Sequence, residues 1–155
     1  GRYAIYTLHF DPSVRAYTFR PAGAWGGQRL VPPERGKRIA AVGDHVTDFM
    51  NRLRDLLNSR GRLGLGGFDM EPLEVLADML AEPAFTQRTI RGTGLIGGAP
   101  QLVKVYRYGA ALPFAVNWEG SCFLLGRKLL AFEKTLNPII ALPTLDVRYP
   151  LDSMN

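Results

Sequence analysis

Residues 89–118, TIRGTGLIGGAPQLVKVYRYGAALPFAVNW, constrain the fold of this chain more than any other stretch. They are dense in glycine and in β-forming residues, so they can build strands and tight turns but no long helix. Within residues 101–108, Val103 and Val105 fall on one face and Lys104, Tyr106 and Tyr108 on the other. That period of two marks a strand with one wetter face. Gly109-Ala110-Ala111 supplies a turn, and Pro113 is expected only at the start or edge of the next strand. Phe114, Val116 and Trp118 then alternate with Ala115 and Asn117, so the two runs read as an antiparallel hairpin. Residues 89–96 are β-rich too, and Gly97-Gly98-Ala99-Pro100 separates them from the hairpin. A meander of three strands is predicted.

Two helices precede the meander. Asp44 reads as an N-cap, and Val46, Phe49, Met50, Leu53, Leu56 and Leu57 recur at helical spacing. Asp48, Arg52, Asp55 and Arg60 fill the opposite face, and Gly61 supplies the stop. Asp69 can cap a second helix with Pro72 in its first turn, Leu73, Leu76 and Leu80 as its buried stripe, and Pro83 beyond its end. Before them comes a hairpin. Ala4, Tyr6, Leu8 and Phe10 share a face, Asp11-Pro12-Ser13 turns the chain, and residues 14–19 return. Residues 21–38, rich in Pro and Gly, read as a long surface loop of a kind often tied to function, and residues 39–42 as a short strand.

Beyond the meander, Glu119-Gly120-Ser121 leads into a short buried strand at 122–125. Residues 128–136 offer a short helix with Leu129, Phe132 and Leu136 on one side, stopped by Asn137-Pro138. Residues 139–155 are too apolar to hang in water, yet Pro143 and Pro150 deny them a continuous helix. They are predicted to form an extended C-terminal arm lying along their own sheet or, by strand addition, along a neighbouring subunit. The fold class is therefore α+β, a mainly antiparallel sheet with two principal helices packed on it, compatible with a layered sandwich. With 155 residues, 46% of them hydrophobic, one globular domain over 1–155 can bury a core.

Several kinds of chemistry are disfavoured. No apolar run approaches the roughly 18 residues of a membrane span, and the first residues do not form a signal peptide. Cys122 is the single cysteine, so no internal disulfide is expected, and an intracellular, reducing compartment such as the cytoplasm is favoured. One cysteine and two histidines make a soft-ligand zinc site unexpected; neither metal nor cofactor is called for. Gly92-Thr93-Gly94-Leu95-Ile96-Gly97 matches G-x-G-x-x-G, but the dinucleotide fingerprint needs those glycines to open a helix, and a strand comes next here. Cys122 precedes Phe123-Leu124-Leu125, the setting of a buried, inert thiol. Asp44 with Asp48, and Glu74 with Asp78, are i, i+4 neighbours that suit helix starts and solvated faces better than acid–base work.

The net charge of +5 is carried mostly by arginine. Arg29, Arg35, Lys37 and Arg38 cluster in the long loop, and Lys104, Tyr106, Arg107 and Tyr108 interleave charge with aromatics on a strand. Such a combination could hold phosphates and stack bases, although no recognisable nucleic-acid motif accompanies it.

The element order of hairpin, short strand, two helices and glycine-rich antiparallel strands is similar to proteasome-type N-terminal-nucleophile hydrolases. The run Gly97-Gly98-Ala99-Pro100-Gln101-Leu102-Val103-Lys104-Val105, with Gly109, resembles the strand pair that comes after the helices there. The resemblance covers residues 3–118 and implies a layered sandwich. It also implies a free N-terminal Thr, Ser or Cys whose own amine acts as base. This chain starts Gly1-Arg2-Tyr3, so the version it resembles is one without a nucleophile of its own. The leading functional expectation is a non-enzymatic interaction or assembly subunit with a protein partner or a second copy of itself. The alternatives are the silent hydrolase fold and a nucleic-acid-binding module.

Overall fold

A computed structural model describes residues 5–22, 39–41, 43–63, 68–87, 95–106 and 109–150. The chain is α+β; the described residues form three helices and two sheets, one two-stranded and one six-stranded. It divides into two compact units, residues 1–72 and 73–155.

In the first unit, β1 (Tyr6–Asp11) and β2 (Ala16–Pro21) form an antiparallel hairpin. Asp11 makes the turn: its Oδ1 accepts hydrogen bonds from the Ser13 backbone N–H (2.9 Å) and hydroxyl (2.6 Å). Arg15, at φ 51, closes the loop in the left-handed region. Residues 39–41, expected in a strand, are not in one.

The helix α1 (Val46–Ser59) carries the expected stripe, with Leu53 and Leu57 fully buried and Val46, Phe49, Met50 and Leu56 half-buried around them. Its N-cap is His45, not Asp44; no side chain caps the backbone there, and His45 Nδ1 lies 3.3 Å from Asp48 Oδ2. The C-terminal end is set by Gly61, whose φ of 63 costs glycine nothing. Gly61 N–H donates to Asn58 O (2.9 Å) and Arg62 N–H to Leu57 O (2.8 Å), the paired bonds of a Schellman cap.

That cap aims Arg60 and Arg62 at one carboxylate. Glu71, the first residue of α2 (Glu71–Ala81), is buried, receives a hydrogen bond from Arg62, and lies 3.9 Å from Arg60 Nη1. Its second oxygen accepts the Asp69 N–H at 2.6 Å. Burial pushes the Glu71 carboxyl up, but the Asp69 and Glu71 backbone N–H groups and the two guanidinium charges outweigh it and hold it below its ordinary value.

From Leu73, where the second unit begins, α2 buries more of its circumference than the predicted stripe. Leu73, Val75, Ala77 and Met79 are buried, Leu76 and Leu80 half-buried, and Asp78 is exposed. Few polar residues interrupt this helix, so it can be covered on several sides. A short turn of helix, α3 (Pro83–Thr86), starts at Pro83, where the sequence suggested only a stop; Phe85 is buried and its carbonyl accepts the Ile96 N–H at 3.0 Å.

The six-stranded sheet is built on β4 (Ala111–Trp118). Its other strands are β3 (Leu102–Val105), β5 (Ser121–Leu124), β6 (Arg127–Lys128), β7 (Ile139–Ala141) and β8 (Asp146–Arg148). The predicted hairpin of β3 and β4 is present. Tyr106 N–H donates to Ala110 O (2.8 Å), and antiparallel alternation then makes Lys104/Leu112 and Leu102/Phe114 the bonded pairs. Pro113 thus falls opposite Val103 at a non-bonded position inside β4 rather than at its start. On the other edge Ala115 N–H reaches Pro138 O (2.8 Å), so the position facing Pro113 lies before β7 begins. The missing N–H therefore has no partner to lose.

The same alternation puts β3 and β5 end to end along one side of β4. Gly126 sits at their junction, where a Cβ would come within 2.9 Å of the Gln101 side chain. Strand β7 runs parallel to β4 on the other side and pairs antiparallel with β8, so the sheet is mixed. Two-residue turns at Glu119-Gly120 and Leu125-Gly126, with positive φ throughout, join β4, β5 and β6. One row of the sheet runs Phe123, Val116, Ile140, Val147, and its centre, Val116 and Ile140, is buried.

Residues 139–148 of the predicted arm thus form a sheet hairpin, turning at Leu142–Pro143, a cis bond, and at Leu145, φ 62. Residues 128–136 do not form the expected helix. Lys128 pairs with Phe123, Leu129 N–H donates to Cys122 O (2.8 Å), and a single turn occupies 130–133. Phe132 and Leu136, the supposed buried side, are 80% and 88% exposed. The predicted strand over 89–96 falls mostly outside the described residues; residues 95–100 run into β3 without opening a helix.

Candidate functional site

Hydrophobic alternation in β1 and β2 has an unusual outcome. The register pairs Tyr6 with Pro21, Leu8 with Phe19 and Phe10 with Tyr17, so all six lie on one face. Tyr6 is 58% exposed, Leu8 53%, Phe10 53%, Tyr17 69% and Phe19 71%. On the opposite face Thr7, Asp11 and Thr18 are half-buried. An antiparallel hairpin ordinarily turns its apolar face inward and its polar face to water; here the apolar face is the more exposed one. The Phe10 and Tyr17 rings meet edge to face, centroids 5.5 Å apart and planes at 69°, so these two aromatics at the turn end of the face are in contact.

The face bears no charged side chain among the described residues. At about 150–250 Å² for a whole aromatic side chain, its exposed part amounts to roughly 600 Å². That is the upper end of the largest apolar patch on an ordinary monomer, a patch that is often functional. The sequence shows Tyr6, Leu8 and Phe10 on one face, but nothing in the alternation tells which face meets water. The available signal was the return strand: the turn at Asp11 places Tyr17 and Phe19 on the same face, more aromatic surface than a two-stranded sheet can cover by itself.

A second feature lies in the unit formed by residues 73–155. A groove of about 610 Å³ is lined by Ser121, Cys122, Lys128, Leu129, Glu133 and Lys134, among others. Glu133 is engaged by Arg127 through paired bonds of 2.8 and 2.9 Å and by the Leu130 N–H at 2.7 Å. The Arg127 bond, first among these, holds its carboxyl below the ordinary value. Cys122 is half-buried rather than buried, and desolvation pushes its thiol above the ordinary value, the opposite of what an attacking thiolate needs. Among the described residues no three His, Cys, Asp or Glu side chains group so as to hold a metal ion, and no helix is long and apolar enough to cross a membrane.

Of the predicted nucleic-acid residues, Arg29, Arg35, Lys37, Arg38, Arg107 and Tyr108 lie outside the described residues. Lys104 and Tyr106 are placed, at and just beyond β3. Lys104 is half-buried with its ammonium 5.7 Å from the centroid of Phe114, while Val103 and Val105 on the other face are exposed. The wetter side of β3 is thus the valine side, because the lysine stem and ammonium pack over an aromatic ring. Tyr106 is 46% exposed. Asp44 and Asp48 are exposed on either side of His45. Glu74 is half-buried and Asp78 exposed on α2.

Compared with protein-family models, with curated proteins and with solved structures, the chain finds no match.

Proposed function

We propose that this chain is a non-enzymatic interaction or assembly subunit, and that the outward face of β1 and β2 is its docking surface. One observation carries the reading: Tyr6, Leu8, Phe10, Tyr17 and Phe19 are each more than half exposed on a single face. Keeping so much aromatic surface in water opposes solubility, and covering it against a protein is the ordinary reason to present it. A two-stranded hairpin also gains independent stability only when a face of it is packed. The nucleic-acid reading has no comparable observation behind it: of its eight residues only Lys104 and Tyr106 are described, and the Lys104 ammonium lies over the Phe114 ring.

The test is whether the face serves binding or folding. At a concentration too low for self-association, Leu8→Thr with Phe19→Thr should melt close to the parent, because both side chains are more than half exposed and threonine suits a strand; surface changes of this kind stay within about 0.5 kcal/mol. Leu53→Ala, at a fully buried site in the same unit, should cost about 2–5 kcal/mol. A double variant destabilised as severely as Leu53→Ala would show that the face is core, and the reading would fail.

A further inference from the structure

We infer that the occupant of this face is a second copy of the same chain, docked face to face about a two-fold axis. The inference rests on the docking-surface reading above and adds the identity of the partner. Three observations carry it: the size of the face, its lack of charge, and its order along the hairpin.

About 600 Å² per copy gives roughly 1,200 Å² for a symmetric pair, the lower edge of stable specific interfaces. An isologous interface brings each residue near the axis against its own copy, so any charge there would meet its like. The chain carries a net charge of +5, yet the six paired residues of this face are all uncharged. A surface chosen to recognise a charged partner would have used some of that charge, since complementary charge is what steers and selects unlike partners.

The order along the strands is also self-complementary. Leu8 and Phe19 form the middle pair, with Phe10 and Tyr17 toward the turn and Tyr6 and Pro21 toward the open end. A two-fold axis through the middle pair stacks Leu8 and Phe19 on their own counterparts. It also lays the Phe10–Tyr17 ring pair of one copy on Tyr6 and Pro21 of the other. Each aromatic then meets an apolar surface of similar width, as in two sheets packed face to face.

Sedimentation of the full chain from about 1 to about 300 µM should show a monomer–dimer equilibrium with a micromolar Kd. Phe19→Asp alone and Phe19→Lys alone should each weaken it at least a hundredfold, since like charges are driven together across the axis. Mixing the two variants should restore a dimer, because Asp and Lys then face one another. A parent protein that stays monomeric throughout, or a Phe19→Asp variant that dimerises like the parent, overturns the inference. In the first case the docking reading survives if the double-threonine variant melts like the parent. Variants that lose their fold overturn both.

Discussion

Replacing Glu71 by glutamine tests the junction between the end of α1 and the start of α2. The carboxylate is 3% exposed, while its partners Arg60 and Arg62 are 42% and 39% exposed. Those exposures divide the energetics. The guanidinium contributions are screened by water and come to about 1 kcal/mol or less. The buried bond from the Asp69 N–H, made to a charged acceptor, is of the kind worth about 1.5–3 kcal/mol. Glutamine keeps the shape but must turn its amide NH₂ toward one of two donors, so a loss of about 2–3 kcal/mol is expected near neutral pH. The pH dependence carries the sharper test. Glu71 is held below its ordinary 4.5 in the folded state, so the native protein favours the ionised form. Its contribution is complete above the unfolded value and is lost as pH falls through the folded one. Urea unfolding of parent and Glu71→Gln between about pH 7 and pH 3 should therefore show a gap that is constant at first and then closes on acidification. A gap that persists unchanged into acid, or that is below about 0.5 kcal/mol at neutral pH, would refute the assignment of a buried carboxylate.

Cys122 lines the groove but has a raised thiol, so a maleimide or disulfide probe should label the native protein several times more slowly than a free cysteine at neutral pH, and faster as pH rises. Labelling at or above the free-thiol rate at neutral pH would contradict the desolvated setting. Truncation after Pro138 removes β7 and β8, and with them the fully buried Ile140 and the pairing of Ile139, Ile140 and Ala141 with β4. Losing Ile140 alone should cost about 2–5 kcal/mol, and the bared edge of β4 should promote aggregation in light scattering; a truncated chain as soluble and stable as the parent would show these strands to be passive.

How far the fold was legible depends on whether local chemistry or distant packing decides each element. The α1 stripe and its Gly61 stop are local, because periodicity and a left-handed glycine suffice to write a helix and its end. The β3–β4 hairpin is likewise local. By contrast, Leu129, Phe132 and Leu136 have helical spacing, yet Lys128 is recruited into β6 by Phe123 and both Phe132 and Leu136 stay exposed. A period in the sequence promises a buried side only if another element arrives to bury it. Pro143 shows the opposite error. It rules out a helix, which made 139–155 read as an arm, but a proline at the turn leaves both β7 and β8 free to pair. The exposed hairpin face was half legible: the alternation was evident, the direction it faces was not.

The alignment of the rings on one face is specified by the hairpin itself. A slip of one residue in the pairing would exchange the faces of one strand and break the block of aromatics into a mixture with Thr7 or Thr18. Both ends oppose such a slip. At the turn, Asp11 Oδ1 holds the Ser13 N–H and hydroxyl, and Arg15 takes the left-handed conformation the loop needs. At the open end, the Ala22 N–H donates to Ile5 O at 2.7 Å, extending the ladder one step beyond the strands. Local hydrogen bonding thus fixes the register in which Tyr6, Leu8, Phe10, Tyr17, Phe19 and Pro21 align. If the face were surplus hydrophobicity, a register that dispersed the rings would serve solubility better, and so firm a turn would work against the fold. A turn that holds the rings together fits a surface whose role is to be covered as one piece.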